Sequence, residues 1–223
     1  MDRPPDASQR KSLLIAHRAG NDLDRLRAVR RVAPDLIEAD VHHFHGRLEL
    51  RHAKTLGPIP LYWDRNPWRL ENPFRTRLTL EGLLAALAPD EEPMLDLKGI
   101  GAGIVQPVID AVERHFPDRQ VTICSRHWRI LPAFAECPWA RVIYSAGSPG
   151  QVAAVAHRLQ FADGVSVKHE LLSADLVRRL RDHVPLVMTW TVDEPALWQR
   201  LQEWGVNGAI TDAPEALAPQ IGG

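Results

Sequence analysis

The chain is poor in the residues that would point to thiol, membrane or nucleic-acid function. Its 223 residues include two cysteines, Cys124 and Cys137, without the CxxC spacing of a zinc site. Two cysteines make no disulfide framework, so both are read as packing residues. No stretch approaches the roughly 18 uninterrupted apolar residues of a membrane helix, and the opening MDRPPDASQRK has no apolar segment resembling a signal peptide. A cytoplasmic protein without stable membrane insertion is expected. An excess of one charge is also missing. Lys plus Arg number 27 and Asp plus Glu 28, for a net charge of -1, which excludes a strongly basic nucleic-acid binder and an acidic disordered tail. Only four of the basic residues are lysines, so Lys98, two residues from Asp96, stands out. The 45% hydrophobic and 25% charged residues are the mix of a globular chain with a sizeable core.

What is present is alternation. Eight short apolar runs, 12–16, 35–41, 94–98, 121–125, 141–145, 164–168, 186–192 and 208–211, read as strands. Between them 21–32, 80–87, 104–115, 152–159, 174–183 and 195–204 carry apolar residues three or four apart, the period of amphipathic helices. Repeated βα units imply an α/β fold with a parallel sheet. Eight of them close into a (β/α)8 TIM barrel, although 223 residues lies below the roughly 250 typical of that fold. The alternative, an open doubly wound sheet, usually carries a glycine-rich phosphate loop after its first strand, where Gly20 stands alone. One domain is expected over 12–223, after a loosely ordered lead at 1–11. A ninth run, 47–51, follows the turn-like His45-Gly46 and is expected to fold back on the second strand. The stretch 55–77, with Pro58, Pro60, Pro67 and Pro73 among Tyr62, Trp63, Trp68 and Phe74, reads as a short lid-like loop insertion over the barrel mouth.

Polar groups collect at the strand ends. Residues two apart on a strand share a face, so Glu38 pairs with Asp40 and Asp96 with Lys98, and in a barrel such a face looks inward. Carboxylates inside apolar strands are costly to bury without a partner. Three of them together call for a cation, and oxygen ligands suit Mg2+ or Ca2+ better than Zn2+. A divalent metal held by Glu38, Asp40 and Asp96 is therefore expected. His42, His43 and His45 do not form a zinc cluster, because successive strand residues face opposite ways; His42 alone is expected near the pocket rim.

The ordered set His17-Arg18, Glu38-x-Asp40-Val41, His52, Asp96-Leu97-Lys98, Trp190-Thr191-Val192-Asp193, Gly205-Val206-Asn207-Gly208 and Thr211-Asp212-Ala213-Pro214 resembles the glycerophosphodiester phosphodiesterase family. The resemblance spans nearly the whole chain. It implies a barrel enzyme with a divalent metal, His17 and His52 as acid and base, and a small-molecule phosphodiester substrate cleaved to glycerol phosphate and an alcohol. Arg18 and Lys98 would contact the phosphate and Trp190 would line the alcohol pocket, while Asp212 before Pro214 reads first as a helix cap. Three departures keep other readings open. The first loop is short, His52 is followed by Ala53 where the family has Asp, and Asp96 stands where these hydrolases usually have Glu. Asp96 instead resembles the related sphingomyelinase D branch, a phospholipase D-like lyase on lysophospholipids that forms a cyclic phosphate. A catalytically weak phosphodiester-binding barrel is the third reading.

Overall fold

The computed structural model describes residues 12–55, 62–65, 68–71, 77–99 and 101–221, and side chains are described at 12–53, 77–99 and 101–221. The expected lead, 1–11, lies outside the described residues. In chain order the strands are β1 Leu13–Ala16, β2 Leu36–Phe44, β3 Arg47–Leu50, β4 Lys54–Thr55, β5 Tyr62–Arg65, β6 Trp68–Glu71, β7 Glu92–Lys98, β8 Val121–Ser125, β9 Ala140–Ala146, β10 Gly164–Lys168, β11 Leu186–Trp190 and β12 Gly208–Thr211. The helices are α1 Leu23–Val29, α2 Leu80–Ala86, α3 Val105–His115, α4 Pro149–Val155, α5 Ala174–Arg181, α6 Pro195–Glu203 and α7 Pro214–Ile221.

Eight parallel strands run in the order β1-β12-β11-β10-β9-β8-β7-β2, and β2 pairs back onto β1, closing a (β/α)8 TIM barrel. All eight expected strands are those of the barrel. Period-2 alternation sorts their side chains. Leu13, Ile15, Leu36, Met94, Cys124, Ile143, Leu186, Met188 and Ile210 pack together inside the barrel, while the outward-facing residues join the helices in the larger core. The same inward rows end in His17 above Ile15, Glu38 and Asp40 above Leu36, Asp96 and Lys98 above Met94, and Trp190 above Met188. The floor is thus apolar and the C-terminal mouth polar, where barrel enzymes carry their sites.

Side-chain caps start the helices where the sequence changes period. Asp22 accepts the N–H groups of Asp24 and Arg25 at α1, and Thr79, Ser148 and Ser173 cap α2, α4 and α5 respectively. The segment after β8 is a 3-10 run at Trp128–Phe134, with Pro132 inside it. Residues 47–50 fold back antiparallel on β2 as expected, through His45 and Gly46, both at positive φ as a two-residue hairpin turn requires. The stretch 55–77 departs from the loop expected there. Its described part holds β5 and β6, which with β4 form a separate three-stranded antiparallel sheet. The four prolines all fall outside these strands, and the segments between them carry the strand formers Tyr62, Trp63 and Trp68. Its placement as a lid falls on residues outside those described. Among the described residues no helix is long and apolar enough to cross a membrane.

Candidate active site at the barrel mouth

A pocket of about 150 Å³ opens at the mouth, lined by His17, Arg18, Glu38, Asp40, His52, Asp96, Lys98 and Trp190 together with Met94, Cys124, Arg126, Ser145, Ser166, Thr191 and Ile210. The expected acid-base, metal-ligand and substrate-contact residues therefore meet in one cavity.

The metal-ligand candidates sit side by side because β2 and β7 pair in register, Asp40 opposite Asp96. One oxygen from each of Glu38, Asp40 and Asp96 lies within 4.8 Å of the others. Glu38 is 3% and Asp40 1% exposed, a depth at which unpaired carboxylates are strongly unfavourable. Each has partners. The Arg18 main-chain N–H donates to Glu38 Oε2 at 2.6 Å, an approach made with Arg18 in the left-handed region at φ 54°. Asn21 and Asp40 exchange two hydrogen bonds of 2.8 Å, Asn21 Nδ2 to Asp40 Oδ2 and the Asp40 N–H to Asn21 Oδ1. Gly20 makes this possible. A methyl group there would lie 2.8 Å from Ala39 Cβ and 3.2 Å from the Glu38 carbonyl oxygen, so only glycine lets the short first loop reach β2.

Lys98 Nζ sits 2.7 Å from Asp40 Oδ1 and is bonded to Asp96 Oδ2 as well. Burial alone would raise the Asp40 carboxyl, but the Lys98 charge and hydrogen bond hold it well below the usual carboxylate range. Burial would likewise lower Lys98, and the charges of Asp40, Asp96 and Glu38 outweigh it and keep the ammonium protonated. Glu38 is left over. Burial, and then the charge of Asp40, push its carboxyl up to about 7. The donor set therefore fits a hard divalent cation: three oxygen ligands, with more negative charge than Lys98 offsets.

His17 and His52 flank the carboxylates. His17 Nδ1 lies 3.0 Å from Asp212 Oδ1. Burial alone would lower the His17 pKa, but the hydrogen bond to Asp212 and the charge of Glu38 raise it above its ordinary value. With Asp212 accepting from Nδ1–H, the neutral ring carries its lone pair on Nε2. Asp212, read from the sequence first as a helix cap, thus directs its carboxylate at His17, with Arg25 Nη2 3.5 Å away. Asp193 fixes that loop, accepting from the Thr211 hydroxyl at 2.9 Å and from the Asp212 N–H at 2.8 Å. His52 sits just past β3. Arg51 holds that turn, its main-chain N–H donating to the Asp40 carbonyl at 3.0 Å and its guanidinium bonding the Ala53 carbonyl beyond His52.

His42 does not reach the rim expected for it. It is absent from the pocket lining; burial and the neighbouring Arg51 lower its pKa to about 3, and its Nε2 has no hydrogen-bond partner among the described residues. Sequence reasoning missed Asn21, the Asp212 contact and Arg126. All three act between segments distant in the chain, which no local pattern marks.

A parallel barrel that gathers carboxylates, cations and two imidazoles at its C-terminal mouth has the layout of a barrel enzyme. Residues 88–216, more than half of the chain, match the glycerophosphoryl diester phosphodiesterase family, and the chain belongs to that family, a family of phosphoric diester hydrolases. The matched stretch contains Asp96, Lys98, Trp190 and Asp212; His17, Glu38, Asp40 and His52 precede it and join them through the fold. No curated protein matches the chain. Among solved structures, a glycerophosphodiester phosphodiesterase from Parabacteroides distasonis is similar at 19% identity with a TM-score of 0.75, covering 95% of this chain and 97% of its own. An Oleispira antarctica phosphodiesterase in complex with the product sn-glycerol-3-phosphate is similar at 16% identity with a TM-score of 0.75, covering 95% and 97%. The Thermotoga maritima glycerophosphodiester phosphodiesterase is similar at 14% identity with a TM-score of 0.71, covering 93% and 98%. These likenesses are of fold.

Proposed function

We propose that the chain hydrolyses glycerophosphodiesters to glycerol phosphate and an alcohol, with Glu38, Asp40 and Asp96 holding Mg2+ or Ca2+ and with His17 and His52 as acid and base. The observation that carries this reading is the set of three mutually close carboxylates bordered by two imidazoles in one pocket. When bound, such an ion supplies positive charge to a phosphate oxygen. Lys98 and Arg18 add charge beside it. One imidazole takes the proton of the glycerol C2 hydroxyl as its oxygen bonds to phosphorus, and the other protonates the alcohol oxygen as its P–O bond breaks. Water then opens the cyclic phosphate with the two proton transfers reversed. Asp212 supports the imidazolium form of His17, and Trp190 lines the pocket for the organic part of the substrate.

Membership of the hydrolase family favours this reading over the cyclising lyase and the binding-only barrel. Product analysis by phosphorus NMR tests it. Incubation of glycerophosphoglycerol with the enzyme and Mg2+ or Ca2+ is expected to end at linear glycerol phosphate. Accumulation of a cyclic phosphate as end product, or no turnover, would overturn it.

A further inference from the structure

The pocket has two chemically different halves. β2 lies across the barrel from β10, so the carboxylates and the two histidines occupy one side of the mouth and the ends of β8 to β11 the other. On the far side the lining is Arg126, Ser145, Ser166, Trp190 and Thr191, with no acidic side chain among the described residues. The other lysine and arginine in the pocket are near carboxylates, Lys98 beside Asp40 and Asp96 and Arg18 Nε 3.9 Å from Asp40. Arg126 makes no ion pair among the described residues. Its place is built nonetheless. Gln151 donates to the Arg126 carbonyl at 3.3 Å and accepts from the Gly147 N–H at 2.9 Å, tying the two loop segments together. A methyl group at Gly147 would lie 3.2 Å from Arg126 Nη1 and 3.3 Å from the Trp190 ring, so guanidinium and indole both close over that bare backbone.

We infer that Arg126 selects glycerophosphodiesters whose alcohol carries a second negative charge, a phosphate monoester or a carboxylate, over those with a cationic head group. This rests on the function proposed above. A substrate whose reacting phosphate lies at the carboxylates and histidines extends across the mouth to Trp190 and Arg126. There an anionic group meets a guanidinium that is paired with no carboxylate among the described residues, and charge-assisted pairing of that kind is strong and directional. A quaternary ammonium would meet the same guanidinium, and no carboxylate of the described residues on that side of the mouth offsets the repulsion.

The test compares kcat/KM for glycerophosphocholine, glycerophosphoglycerol and glycerophosphoglycerol phosphate, in the wild type and in Arg126→Gln and Arg126→Lys. The wild type is expected to prefer the diester with the anionic head group, glycerophosphoglycerol phosphate, to the one with the neutral head group, glycerophosphoglycerol, by about tenfold or more, and the choline diester is expected to be the poorest. Arg126→Gln is expected to lower the anionic-to-neutral ratio about tenfold and raise the choline-to-neutral ratio, while Arg126→Lys retains much of the preference. Unchanged ratios, or equal loss on all three diesters, overturn the inference, the second outcome placing Arg126 on the reacting phosphate. Failure of the wild type to cleave even glycerophosphoglycerol removes the proposed function, and this inference with it.

Discussion

The carboxylate of Asp212 and the imidazole of His17 meet at 3.0 Å although they are 195 positions apart in the chain. Barrel closure, which pairs β1 with β12, brings them together. The contact raises the His17 pKa, so Asp212→Asn is expected to move the His17 limb of the pH-rate profile to lower pH and to cut kcat by roughly tenfold. The pair also has a stability signature. A histidine with a raised folded pKa contributes stability that is full below its unfolded value, about 6.5, and is lost as pH rises through the folded value. The Tm deficit of Asp212→Asn is therefore expected to be larger at pH 6 than at pH 9. An unmoved limb and a pH-independent deficit would make Asp212 merely structural.

His17→Ala and His52→Ala are each expected to lower turnover by roughly 100-fold or more, the scale of a lost acid or base. Metal affinity, measured by calorimetry, should change little, because neither imidazole is needed for the oxygen donor set. A variant with wild-type turnover would remove its histidine from the mechanism.

Glu38 is expected to govern how the proposed metal site responds to pH. Its carboxyl is pushed up to about 7, so below that pH an incoming cation must displace a proton. Apparent Mg2+ or Ca2+ affinity is expected to fall as pH drops from 8 to 6, by up to about tenfold per pH unit. In the metal-free protein the sign is also fixed. The folded state holds a proton that the unfolded chain releases near 4.5, so stability from this group is present below that pH and lost as pH climbs to about 7. Glu38→Gln is expected to raise the Tm of chelated protein at pH 8. A lowered Tm would show that Glu38 is already compensated.

Asp96→Asn separates two effects that the sequence alone merges. Counted as charges, three carboxylates against one lysine suggest that neutralising any of them relieves repulsion. The structure places Lys98 between Asp40 and Asp96, so Asp96→Asn removes an ion pair and the relief belongs to Glu38. Asp96→Asn is expected to weaken metal binding, to regain part of its activity in excess metal, and to show no gain in Tm under chelation. A gain equal to that of Glu38→Gln would contradict this arrangement.

What the sequence reveals of the fold and the site follows from periodicity. Glu38 and Asp40 share a face because strand side chains alternate, and the same rule carries Asp96 and Lys98 inward, so the polar mouth over an apolar floor is legible in the residue pattern itself. The eight strands are legible because the apolar runs alternate with segments of helical period. Asn21, Asp212 and Arg126 are not. Each acts across a distance in sequence that only barrel closure or loop packing removes, and no local pattern marks a side chain for such a contact. The strands in 54–71 escape a sequence reading that lets proline punctuation outweigh the aromatic segments between the prolines.

The proposed metal dependence is tested most directly by chelation of the wild-type enzyme. Protein stripped exhaustively with EDTA and assayed on glycerophosphoglycerol is expected to lose at least about 100-fold in turnover, and to regain it when Mg2+ or Ca2+ is added back at near one ion per chain. Hydrolysis at full rate by the stripped protein would contradict the account and leave Glu38, Asp40 and Asp96 in need of another role.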